Sequence, residues 1–556
     1  MKSPEWVAEL LFQKDCKDTE SARQFFKPQG RGIHDAMDMA GLPEFVEELA
    51  TMDMDNTKIA VHGDYDVDGI TGTALMCSGL ELAGFKQVQK FLPNRFLEGY
   101  GVTPNTIDKF HADGVNWIIT VDTGITALEE IKYAKSLGMK VAVVDHHQQG
   151  DELPEADYIL NPQQRACSYP NPFLCAAGVS YKLIEALWVR VHKDKAKGSP
   201  KLNPEQLLDL FTLGTLADMM PVGGENRTLL KKGLQILRNS PRPGIQALIQ
   251  TAKIEAPELR SQDVLFRLTP MLNSSGRMGD PTLALDLLLA TNEQDAALKI
   301  EKITKTNIER RAIEDEIWQK ALVAKEELEL AEGPQEVLVL ADKTWHQGVI
   351  GIVAAKLVEK FAVPVAVCAI DKEGTLKGSC RTPPGYNWHK ALGGQSDLLG
   401  KWGGHACAAG FSLDVVNVSA FRTRLNTAAK ELNRKVYDTE EIKTHVHISI
   451  NKINPDTLKW LYWFEPFGNG NESPVFYDEG VLVGRECRVV GKKHLKIRVK
   501  KGNRQYDAIA FGMGHLADTL KGSKKKLKVA YIPSWNYFRN QKNIQLQIMG
   551  IEYDDQ

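Results

Sequence analysis

A chain of 556 residues with 43% hydrophobic and 25% charged residues can bury a sizeable core and divides, at the usual domain size, into three or four domains. No apolar run approaches the ~18 residues that a membrane-spanning helix needs, and the start, Met1-Lys2-Ser3-Pro4-Glu5-Trp6, carries no secretory apolar core. The net charge of −2 is spread unevenly: Arg485 to Lys542 holds sixteen Lys or Arg against three Asp or Glu, which leaves about −15 for the rest and marks one module as the footprint of a polyanionic partner.

Residues 1–56 read as a helical segment without chemistry of its own, with helices expected over Glu5–Phe12 and Leu42–Ala50. A short apolar run, Lys58–Val61, then reads as a strand, and Ile70–Ala83 as a helix. The turn between them, His62-Gly63-Asp64-Tyr65-Asp66-Val67-Asp68-Gly69, puts three carboxylates and an imidazole where ligands bind in an open α/β sheet. Asp66 and Asp68 are two apart and can face one cavity, where they repel each other unless a cation sits between them. Oxygen ligands with one imidazole suit Mn²⁺ or Mg²⁺ better than structural zinc. Taken alone, the stretch reads equally well as an acidic surface turn that Gly69 allows to bend.

Two further strands change that balance. Trp117–Val121 ends at Asp122-Thr123-Gly124, and Lys140–Val144 ends at Asp145-His146-His147, with a helix over Thr126–Leu137 between them. Alternating strands and helices imply a parallel sheet, so three strands deliver metal-type ligands to one edge. A loop over 148–172, a helix over Ala176–Val191 and a polar connection over Lys193–Pro204 follow. The apolar helix Leu207–Leu216 leads to Asp218, which by itself reads as a loop residue. Pro270–Met278 reads as a polar interruption, and Leu283 to about Leu330 as a long spacer helix closed by Gly333-Pro334.

A second α/β segment starts at Val337–Leu340, with a strand at Val363–Ile370, then Gly378-Ser379-Cys380-Arg381 and the glycine-rich run Gly403–Gly410. Such small residues admit either a ligand or a close-packed helix. From Thr444 onward short strands with turns read as a small β-barrel. It holds the basic surplus, and Trp535, Tyr537 and Phe538 lie beside it, a combination suited to single-stranded nucleic acid. The eight Cys, at 16, 77, 167, 175, 368, 380, 407 and 487, form no CxxC pair and read as reduced thiols of a cytosolic protein.

Asp145-His146-His147 after a strand, with His62-Gly-Asp-Tyr-Asp66-Val-Asp68-Gly upstream, resembles the DHH phosphoesterases. Pro93–Gly101, Val121–Ile125, Gly214–Pro221, Asn273–Arg277, Trp345–Gly351 and Gly403–Gly410 follow in the order of one branch, the RecJ exonucleases. The resemblance spans about residues 50 to 550, with Asn273-Ser-Ser-Gly and Cys380 as mild departures. It implies an α/β fold: a DHH parallel-sheet catalytic domain at 57–290, a connecting helix at 291–334, a second α/β DHH-associated domain at 335–440 and a C-terminal OB-fold β-barrel at 441–556, after the segment 1–56. It also implies a single-stranded-DNA-specific 5′-to-3′ exonuclease with two divalent cations, Mn²⁺ or Mg²⁺. His62, Asp66 and Asp122 would hold one, and Asp68, Asp122, His146 and Asp218 the other. Asp64 is left as a turn residue or one that supports a ligand from behind, Asp145 orients an imidazole, and His147 meets the scissile phosphate. Arg277, Ser379 and Arg381 would bind phosphate at the 5′ end, with Gly403, Gly404 and His405 lining the facing cleft. The implied partners are single-stranded DNA, single-strand-binding protein and a RecQ-type helicase, for a cytoplasmic monomer acting in recombination and repair. A small-substrate hydrolase of the same superfamily needs neither the basic barrel nor the spacer helix. A non-catalytic scaffold has no reason to retain this many mutually repelling groups.

Overall fold

Strands Lys58–Gly63 (β1), Trp117–Val121 (β3) and Lys140–Val144 (β4) form the middle of a five-stranded parallel sheet in a computed structural model. It describes residues 3–28, 30, 32–99, 101–192, 203–431, 442–491, 493–538 and 541–554. The edge strands Gln87–Phe91 (β2) and Tyr158–Leu160 (β5) complete the order β2-β1-β3-β4-β5. The inner strands are apolar because helices cover both faces; β3 is buried at all five positions. β2 and β5 escape a reading by hydropathy because one is polar and half-buried and the other has three residues. In this order the switch point lies between β1 and β3, so the turns after those strands open onto one crevice.

The helix Val67–Ala83 is buried nearly all round, and its neighbours Ala176–His192 and Leu208–Ala217 pack along it. The expected interruption at Pro270–Met278 is instead a helix, Thr269–Arg277, entered through a π-helical turn at Val264–Leu268. Pro270 sits in the first turn of that helix, where no N–H is needed. The spacer helix runs Glu293–Glu332, 40 residues, about 60 Å of rod at 1.5 Å per residue.

The second sheet has the order β6-β7-β8-β10-β9, from Leu338–Asp342 (β6), Val365–Ile370 (β7), Thr375–Arg381 (β8), Leu399–Gly404 (β9) and Ala408–Asp414 (β10). The glycine-rich run is therefore a β-hairpin and not a helix contact. The C-terminal strands are Val446–His447 (β11), Phe476–Val490 (β12), His494–Lys501 (β13), Arg504–Ala510 (β14), Leu527–Phe538 (β15) and Gln541–Tyr553 (β16). Pairing of β12 with both β13 and β15 closes a five-stranded barrel, with β14 and β16 parallel. Along β13, Leu495, Ile497 and Val499 point inward, so Lys496, Arg498 and Lys500 fall on the outer face. The side chains of Tyr537 and Phe538, the connection at 193–202 and the expected boundary at 440 lie outside the described residues.

Residues 1–56 are helical as expected but do not act as one unit. The helix Glu5–Gln13 inserts Val7, Leu10 and Leu11 into the barrel core, whereas Leu42–Thr51 packs Phe45 and Leu49 into the core of the first sheet.

Candidate metal and phosphate site

The turn after β1 begins at Asp64, and Asp66 caps the helix Val67–Ala83, accepting from Asp68 N at 2.9 Å and Gly69 N at 3.2 Å. Asp68 turns inward. Its two oxygens accept the N–H groups of Ala176 and Ala177, 2.7 and 3.0 Å away, at the start of the next helix, where the helix dipole favours negative charge. A Cβ at Gly214 would lie 2.7 Å from Asp68 Oδ1, so only glycine lets the helix carrying Asp218 come this close. Asp122 leaves β3 with φ of 63°, a left-handed conformation that costs a non-glycine residue energy and concentrates at functional sites.

His146 Nε2 lies 3.1 Å from Asp122 Oδ1, 3.6 Å from Asp218 Oδ2 and 3.8 Å from Asp68 Oδ2. Asp145 stands behind the cluster. It accepts His147 Nδ1 at 2.8 Å, the backbone N–H groups of His146 and His147, and Ile125 N at 3.1 Å. Burial alone would lower His147, but these bonds and its acidic neighbours hold it up at about 9. The same contacts outweigh burial at Asp145 and keep its carboxyl below the ordinary range.

Among the described residues, three groups of side chains offer ligand atoms within 4.8 Å of one another: Asp64 with Asp66 and Asp122, Asp68 with His146 and Asp218, and Asp122 with both imidazoles. Burial and then mutual repulsion push the carboxyls of Asp64, Asp68 and Asp122 upward, and that of Asp218 to about 8. Asp64 Oδ1 and Asp218 Oδ2 are buried with no hydrogen-bond partner, a costly state for carboxylate oxygens that divalent cations relieve. The donor set therefore fits two hard cations, with Asp122 common to both sides.

His62 does not join them. Its ring lies 5.2 Å from that of Phe91 and 6.3 Å from that of Phe110, and burial lowers its pKa to about 4. Strand alternation explains this: Ala60 and His62 share the face opposite Val61. Asp64, expected to serve the turn, stands where a first ligand was expected of His62. Asp64→Asn should weaken Mn²⁺ binding about tenfold or more by removing a ligand charge, while His62→Leu should leave it within about threefold; Mn²⁺ titration of each variant decides it.

Facing the cluster is a group of arginines. Arg277, at the end of its helix, donates to Gly348 O at 3.4 Å. Burial, then Arg95 and Arg381, lowers its pKa to about 10, so these guanidiniums crowd one place and welcome an anion. Arg381 donates to Ser379 Oγ at 3.3 Å and to Cys380 O at 2.7 Å. A Cβ on Gly351 would sit 2.9 Å from Ser379 Oγ and 3.3 Å from Arg381 Nη2. Arg95, not singled out from sequence although it lies in the Pro93–Gly101 motif, stacks over Tyr65 at 4.8 Å and so ties the arginines to the acidic turn. Gly403 pairs with Gly410, which pairs with Ser379, two strands and about 10 Å away. Gly404 pairs with Ala409 in β10, and His405 lies exposed in the turn that follows β9.

Sequence profiles match in three places: the DHH family, N-terminal domain, over residues 58–215, the DHHA1 domain over 335–432 and the RecJ OB domain over 444–550. The chain is 33% identical to the single-stranded-DNA-specific exonuclease RecJ of Bacillus subtilis, over 98% of this chain and 67% of that protein. It is 34% identical to the protein of the same name from Salmonella typhimurium, over 94% and 92%. The crystal structure of RecJ in complex with Mn²⁺ from Thermus thermophilus superposes with a TM-score of 0.80 at 27% identity, covering 99% of this chain and 76% of that one.

Proposed function

We propose, because this chain belongs to the RecJ family of single-stranded-DNA-specific exonucleases, that it degrades single-stranded DNA from the 5′ end and releases 5′-mononucleotides. The observation that carries this reading is a chain of ligand groups linked through Asp122 and His146, with Arg277, Arg95 and Arg381 gathered beside them. Asp64, Asp66 and Asp122 would hold one cation, and Asp68, Asp122, His146 and Asp218 the other. Bound there, Mn²⁺ or Mg²⁺ supplies charge neutralisation and a nucleophile at neutral pH.

The protein's own groups do the rest. Asp145 fixes the His147 ring through Nδ1 and leaves Nε2 to donate to a phosphate oxygen. Arg277 orients the scissile phosphate, and Arg95, Ser379 and Arg381 hold the 5′-terminal one, with charge-assisted bonds that fix end and direction together. Gly403, Gly404 and His405 border that pocket. The catalytic unit would be 57–290, the spacer 291–334, the facing lobe 335–440 and the barrel 441–556, with residues 5–13 serving the barrel. This reading makes the protein a cytoplasmic monomer in recombination and repair, with single-strand-binding protein and a RecQ-type helicase as partners. Among the described residues no helix is long and apolar enough to cross a membrane.

The test is degradation with Mn²⁺ of one oligonucleotide, single-stranded or duplexed, labelled at either end. Mononucleotides from the 5′ end of the single strand are the expected result. Cleavage confined to dinucleotides or pyrophosphate would replace the reading with a small-substrate hydrolase. The barrel's share is separately measurable. Reversing Lys496 and Lys500, on the outer face of β13, should flatten the salt dependence of binding by about 1.4 in log–log slope, at ~0.7 per contact for single strands. An unchanged slope would take β13 out of the DNA path.

A further inference from the structure

Asp218 is followed by Met219, which holds φ of 55° and is 62% exposed. A left-handed backbone is strained for a methionine, and it leaves an apolar side chain in solvent beside a buried acidic cluster. A second exposed apolar residue stands nearby. Phe266, 71% exposed, projects from the π-helical turn Val264–Leu268, a distortion often found at functional sites. Both line one cleft of about 300 Å³, closed on its far side by Phe467, Gly468 and Asn469 of the segment that enters the barrel. Asn469 holds this arrangement at two points: its Nδ2 donates to Met219 O at 2.8 Å, and its carbonyl accepts Val222 N at 2.7 Å.

We propose that this cleft is a base-stacking shelf for the DNA strand on the 3′ side of the bond being cut, with Phe266 as its platform. The inference rests on the exonuclease reading. Three observations carry it. Met219, which lines the cleft, directly follows Asp218 of the cluster in the chain. The cleft lies between helices of the catalytic domain and the segment that enters the barrel. Phe266 and Arg277 belong to one continuous helical segment, so the platform stands about 16 Å from the phosphate-orienting arginine at 1.5 Å per residue, a few nucleotides along the strand. Every base has a face that stacks on an aromatic ring, so the shelf is indifferent to sequence. A duplex keeps its bases stacked on each other and cannot present one to it. Phe266 is thus a positioning and specificity residue for single strands, in addition to any steric limit on duplex entry.

The test uses the full chain, Mn²⁺ and 5′-phosphorylated single strands with a single abasic site at positions 2 to 6 from the 5′ end. For the wild type, one or two adjacent positions should raise KM about tenfold, in line with the worth of a base–aromatic stack. Phe266→Ala should raise KM on the intact strand by a similar factor and be blind to abasic sites at those positions. Phe266→Trp should restore both affinity and position-dependence, and Phe266→Leu should not, which separates stacking from apolar bulk and from folding. If Phe266→Ala keeps the wild-type abasic profile, the shelf is refuted while the exonuclease stands. If the wild type cleaves no single strand, the functional reading itself fails.

Discussion

Replacing Asp122 by Ala should lower cleavage of single-stranded DNA by ~10³-fold or more, while binding of the same DNA persists. Asp122 is the residue that both ligand sets approach, so its loss weakens two cation sites together. Charge stabilisation by such ions amounts to several kcal/mol, and each 1.36 kcal/mol is a factor of ten. A readout independent of turnover accompanies it. In the wild type, burial and mutual repulsion raise the carboxyls of Asp64, Asp68 and Asp122 together, so Mn²⁺ should raise the melting temperature by roughly 5 °C at a hundredfold excess over its Kd, and a chelator should reverse this. Asp122→Ala should abolish most of that shift. A variant that keeps both its activity and its Mn²⁺-dependent melting would overturn the shared-ligand assignment.

Arg381→Ala should lose about 10- to 100-fold in kcat/KM on a 5′-phosphorylated strand and far less on a 5′-hydroxyl strand. The guanidinium is half-buried, which lowers its pKa, and it lies beside Ser379 Oγ. A charge-assisted bond to phosphate contributes about 1.5–3 kcal/mol, so the loss should appear only where there is a terminal phosphate to hold. Arg381→Lys should not restore it, because an ammonium lacks the planar fork that meets two phosphate oxygens. Equal losses on both substrates would make Arg381 a structural residue of β8.

Much of this site can be read from the chain, for definable reasons. β1, β3 and β4 are almost wholly buried and therefore mostly apolar, and each is followed by a carboxylate that has no place in a core. Asp122 and Asp145-His146 follow from that pattern, whereas Asp68 lies in the first turn of the helix after β1. His62 is near the acidic turn in sequence, but its ring packs among Phe91 and Phe110. A residue still within the strand obeys alternation, and its partner Ala60 faces the Phe110 side; only beyond Gly63 is the chain free to turn Asp64 toward the cleft. The helix carrying Arg277 was hidden by Pro270, Asn273, Ser274 and Ser275, poor helix formers, which tertiary packing of Met271 and Leu272 overrides. Arg95 is invisible to periodicity because it lies in a loop, and only its stacking over Tyr65 reveals its direction.

The seating of the first helix in the barrel sets an order of events during synthesis. Gln13 donates to the carbonyl of His445, 432 residues further on, and Val7, Leu10 and Leu11 fill a core whose other members all come from beyond residue 445. At about 5–20 residues per second, this apolar face leaves the ribosome some 20 to 90 s before its partner exists. The two sheet domains can fold meanwhile, but the helix must wait or be sheltered. The barrel therefore recruits a segment made 432 residues before its contact at His445, and a nascent chain halted before the barrel displays the helix Glu5–Gln13 unburied.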